Sequence, residues 1–236
     1  MKSLRSNGGI IGALKNDYTA DSGVFDLDLA EYIAPPPSFG VVGVGYNDDP
    51  FDYTCDLPTG LQAGDLMILL SSHDNDPFGS GTPTGWTNIA LGGTYDAPSW
   101  SVNYRIYTGS EGNNVTVAYG GLRSSSDMVV GLRGVNTVAV AGAQQNSGAT
   151  GMPQAPAISA TAGRYVIICG SLDDDKITGV TAPSGYTMLG QNPNGLNATS
   201  MMAYKEITAS GTETPAAFAG TGDDQWVGNT FEVYLA

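Results

Sequence analysis

Apolar and polar residues alternate along several short stretches of the chain, which predicts half-buried β-strands. The clearest stretch covers residues 100–106, where every second residue is apolar. Residues 115–119 and 128–132 alternate in the same way. We expect each such strand to place one face against a core and the other in solvent. In the first stretch the apolar positions are Trp100, Val102, Tyr104 and Ile106, and the polar ones are Ser101, Asn103 and Arg105.

Two unbroken apolar runs, residues 66–70 and 165–169, are typical of central strands that are buried on both faces. Turn-forming residues separate the strand-like stretches, and the chain holds 33 glycines and 13 prolines in 236 residues. Many short strands with frequent turns predict an all-β sandwich or barrel.

The sequence repeats itself at an offset of about 100 residues. Residues 82–87 (TPTGWT) match residues 182–187 (APSGYT), residues 104–110 match 204–210, and residues 63–66 match 162–165. Matches in the same order at nearly constant spacing indicate a duplication, which fixes the architecture. We divide the repeated region into halves covering about 38–136 and 137–236.

Each half offers about five short strands with one apolar face that needs cover. Two halves that face each other would supply that cover, so we predict one jelly-roll-like sandwich of two sheets, with the halves related by a pseudo-twofold axis. Two separate small sandwiches are the alternative.

Residues 1–37 show no sustained period and end at three consecutive prolines. The first 15 residues hold three of the nine basic residues and no acidic residue. A frayed terminus is one interpretation. The other, which we prefer, is an extended arm that docks the protein into an assembly. Its candidate contact residues are Lys2, Arg5, Gly8, Gly9, Ile10, Ile11, Gly12, Lys15, Val24 and Phe25.

The formal net charge is -14, from 23 acidic and 9 basic residues. Such a chain is repelled by nucleic-acid phosphates and by anionic membrane surfaces, so we expect neither as a partner. No stretch approaches the roughly 20 apolar residues of a membrane span, and the first 30 residues lack the apolar core of a signal peptide.

The motifs of the two halves resemble a β-sandwich module of phage virion proteins and some bacterial surface proteins. They include AGDLMILL, PTGWT, VVGLRGV, ATAGRYVIICG and APSGYT. The arm, with Gly-Gly-Ile-Ile-Gly at 8–12 and Ser-Gly-Val-Phe at 22–25, is similar to the opening of tail-fibre proteins of marine phages. In that family Trp is usual where Phe25 stands, and the spacer usually carries a proline. The resemblance implies a structural part of the virion surface and carries no catalytic residues.

Candidate catalytic chemistry is sparse. The single histidine, His73, follows a strand in the polar sequence SSHDNDP, and we expect it to be a solvated loop residue rather than a catalytic one. One histidine and two distant cysteines cannot form the usual four-ligand zinc site within one chain. We therefore predict that the protein is not an enzyme.

Acidic loops occur at the same place in both halves, and their oxygen atoms are the ligands that calcium prefers. Solvated loops without a metal are the alternative. The candidate calcium ligands are Asp74, Asp76, Asp173, Asp174 and Asp175; no other cofactor is expected.

Two tryptophans, Trp100 and Trp226, are candidates for stacking on a host glycan. Trp86 has a repeat partner in Tyr186 and is predicted to be a packing anchor. Cys169 ends an apolar run and is predicted to be a buried thiol, while Cys55 lies in a loop-like stretch. The sequence does not decide whether the two cysteines form a disulfide.

These features together predict an outward-facing component of a phage virion, either a tail fibre or spike or a capsid decoration protein. We expect a homo-oligomer, with a trimer as the first choice because threefold sites are frequent in such assemblies. The alternative is a secreted or surface carbohydrate-binding module.

Overall fold

The computed structural model describes residues 38–49, 51, 53–73, 81–94, 97–117, 124–135, 141–173, 177–192 and 198–235. The described residues are all β, as predicted. The first half contains β1 (Gly40–Tyr46), β2 (Thr54–Asp56), β3 (Leu66–His73), β4 (Thr87–Thr94), β5 (Ala97–Ile106), β6 (Asn114–Thr116) and β7 (Ser125–Arg133). The second half contains β8 (Ala141–Gly148), β9 (Ile158–Ala160), β10 (Arg164–Leu172), β11 (Thr187–Asn192), β12 (Thr199–Glu206), β13 (Gly211–Glu213) and β14 (Trp226–Tyr234).

Each half forms one five-stranded antiparallel sheet and one short two-stranded ladder. The first sheet has the order β1-β7-β3-β5-β4, and the second has the order β8-β14-β10-β12-β11. The ladders are β2-β6 and β9-β13. Counted from the start of each half, the two orders are identical, so the duplication seen in the sequence is a duplication of topology.

The two sheets pack face to face and share one core. It is made from the inward side chains of both sheets, as expected for the predicted sandwich. Phe39 from the start of the body stacks on Tyr165 with ring centroids 3.9 Å apart, which also joins the halves. Buried members of this core include Leu66, Ile68, Leu70, Met128 and Leu132 from the first sheet, and Ile167, Met202 and Phe231 from the second.

Contacts between the sheets are reciprocal, as a pseudo-twofold axis requires. Strand β1 lies near β11, and its counterpart β8 lies near β4; likewise β14 lies near β5, and β7 lies near β12. Val135 and Leu235, which follow the last strand of each half, form an antiparallel bridge with each other.

Equivalent backbone hydrogen bonds in the turns recur in both halves and show what the repeated motifs encode. The amide of Trp86 donates to the Pro83 carbonyl at 3.1 Å, and the amide of Tyr186 donates to that of Pro183 at 3.0 Å. In both turns a glycine between proline and aromatic residue has a positive φ, which favours glycine over every other residue. The Pro-x-Gly-aromatic motif therefore encodes a turn that leads into β4 and β11.

One ion pair in each half ties the central strand to the last strand. The Arg133 guanidinium donates to Asp65 at 2.8 and 2.9 Å, and Arg164 donates to Glu232 at 2.8 Å. The charges are reversed between the halves, since the acid comes from the central-strand side in one and from β14 in the other. The duplicated scaffold keeps the link, not the residue types.

The outer face of each sheet is covered by the ladder of the same half. Val115 and Cys55 of the first ladder pack on Met67 and Leu69, and Ile158 and other side chains of the second half pack on Val166 and Ile168. The ladders were not foreseen from the sequence. Among the described residues, no helix is long and apolar enough to cross a membrane.

Candidate functional site

The two tryptophans predicted to contact a glycan are buried, and that prediction is wrong. Trp100 is 3% exposed and belongs to the core between the sheets. Trp226 is 8% exposed, and its indole N–H donates to the Thr150 carbonyl at 2.9 Å. Stacking on a sugar needs an exposed ring face, which neither ring offers. Trp86 is buried in the cluster that covers the first sheet, as its predicted role as an anchor requires.

Several predicted site residues lie outside the described residues. They are the arm candidates Lys2, Arg5, Gly8, Gly9, Ile10, Ile11, Gly12, Lys15, Val24 and Phe25, and the calcium candidates Asp74, Asp76, Asp174 and Asp175. Of the proposed calcium ligands only Asp173 is described; it is buried, and its amide donates to the Gln225 carbonyl at 2.8 Å. Within the described ranges, no group of three metal-ligating side chains occurs.

His73 is not a solvated loop residue. It ends β3, is 1% exposed, and stands opposite Ser99 of β5 and Ser125 of β7. Burial lowers the pKa of His73 to about 3, so the imidazole is neutral at physiological pH. The sequence prediction failed because the polar residues after His73 suggested that the loop had already begun.

The two cysteines are free thiols in different cores. Cys169 lies between the sheets, as predicted, and burial raises its pKa above the ordinary thiol value. Cys55 lies in β2 rather than in a loop and packs from this outer ladder onto the first sheet. Burial, and then the nearby Asp127 charge, raise its pKa as well. Both thiols are therefore in their unreactive, protonated form.

The outer faces of the two sheets differ in polarity at the end of the central strand. At the end of the central strand the second half presents Leu172, Trp226 and Met201 to its outer cluster. The corresponding positions in the first half hold His73, Ser125 and Ser101, all buried. Because the second half folds with apolar residues there, the scaffold does not require the polar ones.

Hydrogen bonds hold this polar cluster in place. The Ser71 hydroxyl donates to the Asp127 carboxylate in a very short contact. The Asn103 amide donates to Ser101 Oγ at 2.9 Å and accepts from Asn88 Nδ2 at 3.0 Å. Buried polar groups without such bonds would cost free energy, so the cluster is a fixed polar layer under the outer surface of the first half.

An open cleft of about 520 Å³ lies on the same outer face. Its volume is within the range of small-molecule sites. It combines apolar walls with hydroxyl, amide and charged side chains. The lining residues are Leu57, Met67, Thr82, Pro83, Thr84, Trp86, Arg105, Glu111, Gly112, Asn114, Val115, Thr116 and Val117.

Arg105 and Glu111 form the charged part of the cleft. The Arg105 Nη2 lies 2.8 Å from Glu111 Oε1, and the Glu111 side chain is 8% exposed. Glu111 also accepts from the Thr108 amide at 2.9 Å and from the Ser110 amide at 3.2 Å. Burial raises the pKa of Glu111, but the backbone hydrogen bonds, the Thr108 hydroxyl and the Arg105 charge outweigh it, so the pKa is lowered overall. Glu111 is therefore an ionised and fully engaged anchor for the guanidinium.

The equivalent place in the second half carries related side chains. Lys205 replaces Arg105 and donates to both oxygens of Glu213, at 2.9 and 2.8 Å. Tyr186 replaces Trp86, and its hydroxyl donates to Glu213 at 3.1 Å. Phe218 and Ile158 add apolar bulk to the same outer cluster. The two halves thus share the ion pair.

Sequence reasoning found the repeat matches between Trp86 and Tyr186 and between Arg105 and Lys205 but did not interpret their differences. Comparing the halves position by position would have singled out both residues. Glu111 and Asn114 carried no signal, because they follow the repeated motif in a stretch of ordinary turn residues. Comparison of the chain with protein-family models, with curated proteins and with solved structures found no match to any of them.

Proposed function

We propose that the chain is a structural protein of a phage virion, displayed outward as a tail fibre, spike or capsid decoration component. In this proposal residues 1–37 dock into a capsid or tail protein, and residues 38–236 face the exterior. The tail or fibre location is preferred because the arm resembles that group. The protein is a homo-oligomer, with a trimer as the first choice.

The observation that carries the proposal is the division of the chain into an arm and a closed body. The chain separates into residues 1–35 and 36–236. Among the described residues, those between 39 and 234 form the inner core and both outer clusters of the body. In this proposal the N-terminal segment serves a partner rather than the core of the body. The acidic net charge also suits the outside of a particle better than a lumen filled with DNA.

Immunogold labelling of intact particles tests the outward display. Antibodies raised against residues 38–236 should label one structure on the surface of each particle, without disruption of the particle. Label that appears only after the particles are opened would contradict the outward placement, and no label in either case would overturn the virion assignment.

Deletion of residues 1–34 tests the role of the arm. The truncated chain should keep the circular dichroism spectrum and melting temperature of the full chain, because in this proposal the arm serves docking and not folding. It should be absent from particles assembled in its presence, whereas the full chain is incorporated. Incorporation of the truncated chain at the normal level would refute the docking role.

The rival function is a secreted or surface carbohydrate-binding module, and the cleft in the first half is the observation that favours it. The two functions differ in location. A virion component copurifies with particles at fixed stoichiometry, while a secreted module remains in the medium when particles are removed.

A further inference from the structure

The cleft of the first half has the mixed lining that suits a polyhydroxylated ligand. Leu57 is half-buried and borders the cleft, while the neighbouring Trp86 ring is 9% exposed, so only a small part of it reaches the cleft. Thr82, Thr84, Thr116 and Asn114 contribute hydroxyl and amide groups and are exposed. A pyranose ring carries an apolar face of C–H groups and a rim of hydroxyls, so this lining is complementary to one.

The charge of the cleft favours a neutral ligand. Arg105 and Glu111 are the charged residues among those that line it, and they form an ion pair at 2.8 Å. The pair brings no net charge. The surrounding protein carries a formal charge of -14, which repels anionic ligands.

Arg105 is held ready to donate hydrogen bonds. Its Nη2 is anchored on Glu111, which leaves further N–H groups of the planar guanidinium for a ligand. The other terminal nitrogen, Nη1, packs over Gly85, where a Cβ atom would lie only 2.9 Å away. The glycine therefore makes room for the guanidinium, and the buried carboxylate fixes its orientation before any ligand arrives, which reduces the entropic cost of binding.

The second half shows the same place on the scaffold with different side chains. There the Lys205 ammonium donates to both carboxylate oxygens of Glu213, and the Tyr186 hydroxyl donates to the same carboxylate. The exchange of Lys for Arg leaves the ion pair intact and adds donors, because a guanidinium carries five N–H groups and an ammonium carries three.

We propose that the cleft formed by Trp86, Arg105 and Asn114 on the outer face of the first half binds a neutral saccharide. Arg105, Asn114 and the threonines bond to its hydroxyls, while Leu57 and the small exposed part of Trp86 contact its C–H groups. This site goes beyond the proposed function, which concerns where the protein resides, and it holds for either location.

Calorimetric titration of the full chain tests the site. The probes are the neutral trisaccharides maltotriose, cellotriose, chitotriose and mannotriose, with triguluronate as an anionic comparison, each at millimolar concentration. At least one neutral probe should bind with a stoichiometry of one per chain. Tryptophan fluorescence should change on binding in the natural protein, and Trp86→Phe should remove that change.

The repeat supplies matched controls. Arg105→Lys introduces the residue of the second half and keeps the ion pair, and it should weaken binding at least tenfold with an unchanged melting temperature. Lys205→Arg is its control and should leave the affinity unaltered. Thr84→Ala should weaken binding several-fold, and Ser184→Ala, at the equivalent turn, should not.

Three results would overturn the assignment: no neutral probe binds, only triguluronate binds, or Lys205→Arg changes the affinity as much as Arg105→Lys. None of them bears on the virion proposal, because a particle component need not bind sugar. Conversely, absence from particles would leave saccharide binding by the purified chain intact.

Discussion

At the residue scale, the most informative side chains are buried polar ones that the duplicated half does without. His73 ends β3 in the same position in which Leu172 ends β10. The imidazole is desolvated and neutral, and its protonation in the folded state is strongly disfavoured. A polar residue at a site where leucine suffices makes the fold sensitive to pH.

Replacement of His73 by leucine should therefore reduce the acid sensitivity of the protein. Because burial lowers the pKa of folded His73 to about 3, its stabilising contribution is present above the unfolded pKa of about 6.5 and is lost as the pH falls towards 3. Between pH 7.5 and 5 the natural protein should lose about 2 kcal/mol more unfolding free energy than His73→Leu. Urea unfolding at the two pH values measures this difference. Equal losses in both proteins would show that His73 is protonated without penalty in the fold.

The glycan candidates were chosen by residue type alone, and this choice was wrong. Trp100 shares the apolar face of its strand with Val102, and the alternation of residues 100–106 already placed it inside. The prediction of a sugar contact relied on the general chemistry of tryptophan instead of on this local pattern. Trp226 begins β14, and nothing local indicated that its ring would pack against the β8 residue Gly148.

At the scale of elements, long strands were predictable and short ones were not. The alternation in β5 and β7 and the apolar runs of β3 and β10 follow directly from the requirements of a sheet with a covered face. The ladder strands β2, β6, β9 and β13 have three residues each, too few to establish a period.

Because the ladders were not predicted, a second prediction was also wrong. Ser101 and Asn103 were expected to face solvent because they alternate with apolar residues, yet both are fully buried. Alternation reports that one face is less apolar than the other. It does not reveal whether another layer lies over the polar face.

The crossing of β2 over β1 gives a sharp test of this extra layer. A Cβ atom at Gly45 in β1 would lie 1.9 Å from the Asp56 carbonyl oxygen in β2, so Gly45→Ala requires backbone movement and should lower the unfolding free energy by about 1–3 kcal/mol or more. Gly40→Ala in the same strand is the control, because its nearest neighbour atom would be 3.9 Å away. Thermal unfolding of both variants measures the difference. Equal stability of the two would mean that the ladder does not cross β1 at Gly45.

At the scale of the whole molecule, the halves depend on each other. The inward faces of both sheets form one core, and polar residues join them at one end. Asn192 of the second half donates to Asn47 Oδ1 and to the Asp127 carbonyl, both at 2.6 Å. The Ser200 amide donates to Ser126 Oγ at 3.0 Å. The dependence of the halves on each other was predictable from the number and polarity of the strands. The polar hydrogen bonds that join the halves were not predictable, because they link residues far apart in the sequence.

Neither half should fold alone, because each would expose a full apolar sheet face. Residues 38–136 and 137–236 expressed separately should aggregate or lack the spectrum of folded β structure, and coexpression should yield a soluble complex of one copy of each. Size-exclusion chromatography and circular dichroism measure both outcomes. A folded monomer from either half alone would show that the halves are independent.

Divergence between the halves connects the fold to the proposed function. Both keep the same sheet order and the same turn, and the first half has a cleft on its outer face. In the proposed function this face of the first half is turned to the exterior. The placement of that surface on a particle is the central claim.

Mass spectrometry of purified particles, with peptide counts scaled to the major capsid protein, tests that claim most directly. We predict that the chain is present at fixed stoichiometry. A few to a few dozen copies would identify a tail, spike or fibre, and hundreds would identify a decoration protein of the shell. Absence of the chain from particles that infect normally would contradict its proposed placement in the virion.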